Sequence, residues 1–134
     1  MKIAIATDDG RTVSQHFGRA MYYAVLTVEN GAVVARELRD KFSPHAAGQG
    51  THAGHEEEPG HAHGMGPAAQ DRHDQMAAAI ADCDVMLAGG MGRGLYERMA
   101  ANGIRPVVTS VRDVEAAALE CASGLIVDHA EKLH

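Results

Sequence analysis

The segment from His45 to His73 is the feature that most constrains how this 134-residue chain folds. It contains no Val, Ile, Leu, Phe, Tyr or Trp, and Met65 is its only large apolar side chain. Six glycines, two prolines and an acidic run at 56–58 supply much of the remainder. Such a composition buries too little apolar surface to offset the entropy lost on ordering. We therefore predict a flexible insert at about residues 44–67, within a single domain that spans residues 1–134.

Charge and hydropathy exclude several classes of protein. The chain has 12 basic and 18 acidic residues, a net charge of −6, which provides no electrostatic footprint for nucleic acid or an anionic membrane. No apolar run is long enough to span a membrane, and Asp8-Asp9 ends the first apolar stretch too early for a signal peptide. Two cysteines without an export signal indicate a reducing, cytoplasmic environment.

Apolar runs and turn residues outside the insert indicate an α/β fold. Asn30-Gly31 separates two strand-like runs and is a strong hairpin signal. Helices and strands alternate after the insert, and an apolar triplet at 125–127 ends the pattern, which is typical of a mixed sheet with helices on both faces. Strands are predicted at 3–7, 22–28, 32–38, 85–88 and 106–109, and helices at 69–83, at 95–102, and from a Ser110–Asp113 capping arrangement to Ser123.

Two loops are expected to meet at one edge of this sheet. In a parallel arrangement, the loops that follow the strands gather at the carboxyl ends and form a crevice. The segment 8–18 follows the first strand, and the glycine run at 89–94 follows the strand at 85–88. We expect the principal functional site between these two loops.

The glycine run has two interpretations. Four glycines between residues 89 and 94 let the backbone approach a ligand, and the next helix offers an amino terminus that favours an anion, with Arg93 as an added cation. The spacing matches neither a Walker A loop nor a dinucleotide fingerprint. The alternative is a tight turn in which glycine is needed for packing alone.

Single residues elsewhere support ordinary structural roles. His16 lies in the first loop, where a surface or capping role is more common for a lone histidine than metal ligation. Cys83 and Cys121 are each on an apolar helical stripe, which favours buried, unreactive thiols over metal ligands.

An enzymatic reading has little support. Asp8-Asp9 and Asp82/Asp84 suggest a two-metal carboxylate site, but the second pair precedes its strand and is expected at the opposite edge of the sheet. No Ser/His/Asp or Cys/His set occurs at plausible positions. A small phosphate-ester enzyme that uses the glycine loop is the least favoured possibility, and we predict that the protein is not an enzyme.

The insert itself carries a cluster of histidines beside its acidic run. Its possible metal ligands are His45, His52, His55, His61 and His63. Imidazoles next to carboxylates suit zinc, nickel, cobalt or copper, although a glycine-rich loop is not pre-organised for them. The insert is therefore either a weak metal-binding segment or a soluble linker. The first possibility defines an alternative function for the protein, a buffer or sensor for divalent nickel, cobalt or zinc.

Three stretches of the chain carry a more specific combination of motifs. They are Met1-Lys2-Ile3-Ala4-Ile5-Ala6-Thr7-Asp8-Asp9-Gly10, His16-Phe17-Gly18-Arg19-Ala20 and Ala88-Gly89-Gly90-Met91-Gly92. Together they resemble the dinitrogenase iron-molybdenum cofactor biosynthesis family, which includes NifX, NafY, the carboxyl-terminal part of NifB and small stand-alone proteins. The resemblance covers nearly the whole chain except the insert, which is longer and richer in histidine than the family pattern.

The resemblance implies both a fold and a function. The fold is a ribonuclease-H-like three-layer α/β/α arrangement with a five-stranded mixed sheet, strand order 3-2-1-4-5 and strand 2 antiparallel. The function is non-enzymatic binding and carriage of an iron–sulfur or iron–molybdenum–sulfur cluster, or a related molybdenum species, with cofactor-assembly or acceptor proteins as partners. A cytoplasmic monomer or weak homodimer fits this role.

The resemblance also reverses the interpretation of His16, which maps onto a histidine implicated as a cluster ligand. The glycine loop then suits a large anionic cluster held by backbone N–H groups, with Arg19 and Arg93 as charge partners. The cofactor-binding residues expected on this basis are His16, Phe17, Gly18, Arg19, Gly89, Gly90, Met91, Gly92 and Arg93.

Overall fold

A mixed β-sheet organises the computed structural model, which describes residues 1–42 and 67–134. Its strands are β1 (Lys2–Thr7), β2 (Tyr22–Glu29), β3 (Ala32–Asp40), β4 (Val85–Ala88) and β5 (Arg105–Val108). The order across the sheet is β3-β2-β1-β4-β5, with β2 antiparallel to both neighbours and the β1–β4 and β4–β5 pairs parallel. The predicted strand order and the antiparallel second strand are confirmed.

Within the described residues, three α-helices cover the two faces of this sheet. They are α1 (Pro67–Ala78), α2 (Arg93–Ala101) and α3 (Val114–Ala122). Because side chains alternate along a strand, Ala4 and Ala6 of β1 pack in the core beneath α1 and α2, whereas Ile3 and Ile5 pack in the core beneath α3. The predicted three-layer arrangement is therefore confirmed, with two helices on one face and one on the other.

The β2–β3 hairpin follows directly from its turn residues. Asn30 and Gly31 have φ angles of 54° and 78°, so both adopt the left-handed region that a two-residue hairpin turn requires. Asn tolerates this region better than most residues, and Gly adopts it without steric cost. This turn fixes the edge strand β3 beside β2.

Several predicted boundaries are wrong in ways that packing explains. The first helix ends at Ala78 rather than at residue 83, and a series of tighter backbone turns follows, such as the 2.9 Å bond from the Cys83 N–H to the Ile80 carbonyl. Ile80 and Cys83 are nevertheless buried. The apolar spacing that predicted the helix therefore indicated which residues are buried, but not that they are helical. The triplet at 125–127 forms no strand, and two of its three side chains are exposed.

The start of α3 also differs from the expected capping arrangement. Asp113 alone is the cap, and its carboxylate accepts a 2.8 Å hydrogen bond from the N–H of Ala116. Ser110 lies outside the cap. An Asp at this position satisfies one of the free N–H groups of the first turn, which is why the helix begins immediately after it.

A charged network ties the sheet together at the amino ends of β1 and β4. Asp82 accepts hydrogen bonds from Lys2 Nζ at 2.7 Å and from Arg39 Nη1 and Nη2 at 2.6 and 2.9 Å. The Arg39 guanidinium holds the pKa of Asp82 well below its usual range. Asp84 accepts a bond from the Lys2 backbone N–H at 2.9 Å, at the opposite end of β1 from Asp8. The predicted separation of the two aspartate pairs is confirmed, so they do not form a joint metal site.

No helix within residues 1–42 and 67–134 is both long and apolar enough to cross a membrane.

We expect Asp82→Asn to lower the free energy of unfolding by about 1–3 kcal/mol, because the largely buried Arg39 guanidinium loses one of its two charged acceptors among the described residues and keeps only Glu37. Glu115→Gln is the matched control, since it removes the exposed Arg36–Glu115 pair, and the expected loss is below about 1 kcal/mol. Urea unfolding of the two variants measures the difference. Equal losses of stability would contradict the prediction that the Asp82 network stabilises the fold more than the Arg36–Glu115 pair does.

Candidate functional site

The loop after β1 and the loop after β4 are hydrogen-bonded to each other. The Phe17 N–H donates to the Gly90 carbonyl at 2.9 Å, and the Gly89 N–H donates to the Ser14 carbonyl at 2.7 Å. Both loops leave the carboxyl ends of their strands, which is where the parallel β1–β4 pair brings them together. The predicted convergence of the two loops is present in the structure.

Gln15 explains the first two glycines of the run. A Cβ atom built on Gly89 lies 2.6 Å from Gln15 Nε2, and one built on Gly90 lies 2.5 Å from the Gln15 carbonyl oxygen. At Gly90 a side chain would meet fixed backbone, whereas at Gly89 it would have to displace the end of the flexible Gln15 side chain. The Gly89 N–H is already bonded to the Ser14 carbonyl. Gly89 and Gly90 therefore match the tight-turn interpretation, in which glycine is needed for packing.

The last part of the run borders open space. Gly92 is the residue before α2, and Gly94 lies in its first turn, where a Cβ meets nothing closer than His73 Cε1 at 3.5 Å. A cavity of about 330 Å³, which we call the helix cleft, opens beside them. Phe17, Met76 and Leu95 form its apolar wall, and the other lining residues are Gly18, His73, Gly92, Arg93, Gly94 and His134. None of these lining residues is acidic.

The carboxyl-terminal segment occupies part of the amino end of α2. The Arg93 N–H donates to the His134 carbonyl at 2.8 Å, and the His134 N–H donates to the Met91 carbonyl at 3.3 Å. The N–H groups of Gly94 and Leu95 have no hydrogen-bond acceptor among the residues that the structure describes. The amino end of α2 therefore keeps donors, and its partial positive charge, available beside the helix cleft.

His16 lies beside a second cavity of about 430 Å³, which we call the loop cavity. Its lining includes Asp8, Asp9, His16 and Arg19, but not Arg93. The predicted single crevice is thus two cavities: His16 and Arg19 line one, whereas Phe17 and Gly18, between them in sequence, line the other.

The backbone around His16 is held while its ring is left exposed. Ser14 Oγ donates to the His16 carbonyl at 3.0 Å and accepts from the His16 N–H at 3.2 Å. The imidazole is exposed and makes no hydrogen bond to any residue within the described ranges. The His16 imidazole is therefore exposed to solvent on a fixed backbone.

Asp9 stabilises the same loop through hydrogen bonds to its backbone. Its carboxylate accepts hydrogen bonds from the backbone N–H groups of Thr12 and Arg11, each at 2.8 Å. These bonds lower the pKa of Asp9 to about 2, so it is a carboxylate at neutral pH. The loop cavity therefore carries negative charge close to His16.

Lys41 is a functional candidate that sequence reasoning missed. Its side chain is 2% exposed, and Nζ donates to the Phe17 carbonyl at 2.6 Å while lying 4.3 Å from the centre of the Phe17 ring. Burial lowers the pKa of Lys41 to about 8. No local pattern distinguishes this residue from an exposed lysine after a strand, because the contact depends on residues far apart in sequence. Lys41 holds the turn at Phe17–Arg19 in place.

Two of the predicted site residues have their side chains in the core. Phe17 is 2% exposed, although it still lines the helix cleft. Met91 is 1% exposed and lines neither cavity, because it packs with Leu95 and Met99 in the core beneath α1 and α2. At Met91, only the backbone is near the site.

The cysteines are buried on opposite faces of the sheet. Cys83 belongs to the core beneath α1 and α2 and Cys121 to the core beneath α3, so they cannot share a metal ion. Burial raises the pKa of the Cys83 thiol to about 12 and also raises that of Cys121. The predicted burial of both thiols is confirmed.

The described part of the chain contains no group of side chains that is already arranged to bind a metal ion. Within residues 1–42 and 67–134, no three His, Cys, Asp or Glu side chains come close enough to hold one ion. The predicted ligands His45, His52, His55, His61 and His63 lie outside the described residues.

The strand order, the helices on both faces and the loops at the strand ends define an α/β domain of the ribonuclease-H-like type. The chain belongs to the dinitrogenase iron-molybdenum cofactor family, whose sequence profile matches residues 1–124. No protein of curated function matches the chain significantly.

Solved structures of similar proteins have the same fold. The crystal structure of PH0822 gives a TM-score of 0.62 at 21% identity, over 96% of this chain and 95% of that chain. The apo form of the orange protein from Desulfovibrio gigas gives a TM-score of 0.61 at 18% identity, over 96% of this chain and 92% of that chain. Identities this low establish a common fold and nothing finer.

Replacing the glycines with alanine tests the two halves of the run. We expect Gly90→Ala to lower the free energy of unfolding by about 1–3 kcal/mol, because its Cβ overlaps the Gln15 backbone oxygen. Gly94→Ala has only ordinary contacts with His73 and gains helix propensity, so it raises stability by up to about 1 kcal/mol. Denaturant unfolding of both variants measures the contrast. Equal destabilisation would show that Gly94 is also needed for packing.

The buried amine of Lys41 predicts a pH dependence of stability. Its pKa is about 8 in the folded chain and near 10.5 when exposed, so between these values the unfolded chain binds more protons. The free energy of unfolding of the wild type therefore rises from pH 8 to pH 10 relative to Lys41→Met. The exposed Lys132→Met is the control and parallels the wild type. Parallel curves for Lys41→Met would refute a lowered pKa.

Proposed function

We propose that the protein is a non-enzymatic carrier of an anionic iron–sulfur or iron–molybdenum–sulfur cluster during metallocofactor assembly. The cluster is cargo, received from one protein and passed to another in a reducing, cytoplasmic environment. Membership of the dinitrogenase iron-molybdenum cofactor family supports a role in cofactor biosynthesis. The observation that carries the finer proposal is the helix cleft, which combines Arg93 and two N–H groups in the first turn of α2, unbonded within the described residues, with a lining that has no acidic side chain.

Electrostatics favours the helix cleft over the loop cavity as the seat of an anion. In the helix cleft the N–H groups of Gly94 and Leu95 and the charge of Arg93 all favour a negative ligand. In the loop cavity, Asp8 and Asp9 repel one. Arg19 offsets only part of that repulsion. We therefore place the body of the cluster in the helix cleft.

His16 is the proposed ligand at the edge of this site. The next two residues, Phe17 and Gly18, line the helix cleft, and a Cβ built on Gly18 meets no atom within 4 Å. Open space over Gly18 lets a cluster in the cleft extend toward the exposed imidazole of His16. A neutral imidazole is a suitable ligand for iron and for other borderline metals.

Binding rather than catalysis is supported by the state of the nucleophilic side chains near the loops. Burial raises the pKa of both cysteine thiols, so neither is prepared to act as a thiolate. The Ser14 hydroxyl donates its proton to the His16 carbonyl instead of to a base. These residues serve the structure of the site, and we propose no reaction on the cluster.

Anaerobic reconstitution with iron, sulfide and molybdate tests the carrier function. We expect the wild type to retain iron and sulfide through gel filtration with charge-transfer absorption in the visible range. His16→Ala is expected to bind about tenfold more weakly or worse, because a metal ligand is lost. His129→Ala is the matched control, since His129 is hydrogen-bonded to Glu131 and lines neither cavity. It is expected to behave like the wild type.

Replacing the five histidines of the insert with serine separates the two candidate functions. A carrier that uses the helix cleft keeps its cluster in this variant. If the variant instead loses all bound metal while His16→Ala keeps it, the alternative of a divalent metal buffer replaces the carrier proposal. The carrier proposal is also refuted if the wild-type protein retains neither metal nor sulfide.

A further inference from the structure

We propose that His73 of α1, which lines the helix cleft, is a second imidazole ligand for the cluster. This inference rests on the proposed function, because it assigns a residue to the same cargo. His73 lies outside every motif that indicates the family, and it follows the histidine-rich insert in sequence.

The position of His73 is the first argument. Its ring lies beside the first turn of α2: a Cβ built on Gly94 would be 3.5 Å from Cε1 and 3.9 Å from Nδ1. The side chain is half-buried and lines the helix cleft together with Arg93. Within the described residues, neither ring nitrogen makes a hydrogen bond. An imidazole in such a place has a lone pair available to whatever occupies the cleft.

The surroundings of His73 favour the unprotonated form of its imidazole. Burial lowers the pKa of His73, and the cations Arg72 and Arg98 lower it further. Asp74 opposes this effect, but its carboxylate already binds Arg98 through bonds of 2.9 and 3.0 Å. The other groups that line the cleft near His73 are Arg93 and His134, and no acidic residue is among them. A neutral imidazole binds a metal without first losing a proton.

The helix that carries His73 is fixed against its surroundings. The Arg98–Asp74 pair joins α1 to α2, and Asn102 Nδ2 donates to Asp74 at 3.2 Å. One turn later in α1, the Met76 carbonyl accepts a 2.9 Å bond from the hydroxyl of Tyr23 in β2. Because these bonds hold α1 to both α2 and the sheet, the His73 ring needs little ordering when a ligand arrives. A pre-organised ligand binds more tightly than a mobile one.

A metal–sulfur cluster is the class of ligand that this arrangement suits. A single ion needs more protein ligands than the described residues bring together. A cluster brings its own sulfides, so two imidazoles from separate segments and the N–H donors at the start of α2 are enough to hold it. Two ligands from separate segments also give a route for transfer, since one bond is broken while the other persists.

Ligand replacement at position 73 tests this assignment in the full-length protein. After anaerobic reconstitution with iron, sulfide and molybdate, we expect His73→Ala to retain the cluster about tenfold less well than the wild type. His73→Cys is expected to restore retention and to shift the visible absorption, because a thiolate replaces an imidazole at the metal. His129→Cys is the matched control, and its spectrum is expected to match the wild type.

The outcomes separate this inference from the proposed function. If the wild type binds no cluster, the carrier function itself is refuted. If the wild type and His16→Ala differ as expected but His73→Ala and His73→Cys both match the wild type in retention and spectrum, then His73 is not a ligand and the carrier function stands. If His73→Cys changes retention without any spectral shift, His73 has a structural role only. Urea unfolding of each variant verifies that the fold is intact.

Discussion

The close contact between the Gln15 segment and the Gly89-Gly90 pair is the constraint on which the site depends. Two backbone hydrogen bonds join the loops. The absence of a Cβ at Gly90 lets the Gln15 backbone approach, and at Gly89 it leaves room for the Gln15 side chain. This contact places the turn at Phe17–Arg19 next to the start of α2. Lys41 then holds this turn through its hydrogen bond to the Phe17 carbonyl and its contact with the Phe17 ring.

The same contact divides the glycine run into two parts with different roles. Gly89 and Gly90 belong to the packing of the loops, whereas Gly92 and Gly94 border the helix cleft. The division also separates charge: carboxylates gather around the loop cavity, and the amino end of α2 with Arg93 faces the helix cleft. An anionic ligand would therefore be attracted to the helix cleft and repelled from the loop cavity.

Much of the fold was predictable because local chemistry and global topology agree. The Asn30-Gly31 turn, the strand at 85–88 and the glycine that follows α2 all have signals within a few residues, and each is present in the structure. The site was predictable only in part. Convergence of the two loops follows from strand direction, but the pairing of Gln15 with two glycines, the burial of Lys41 and the approach of His73 to Gly94 all join distant residues. The helix at 69–83 was overextended because apolar spacing reports burial and cannot distinguish a helix from successive turns.

The sequence by itself determined the hairpin and the two loops that meet at the sheet edge, through periodicity and turn residues, whereas its resemblance to a known family implied the strand order. Only the tertiary structure decided that the expected crevice is two cavities, that Met91 faces the core and that His73 faces the cleft. The physical reason is that side-chain direction and electrostatic surroundings arise from packing between segments. His16 and Arg93, grouped together by their motifs, therefore line different cavities, whereas His73 and Arg93 line the same one.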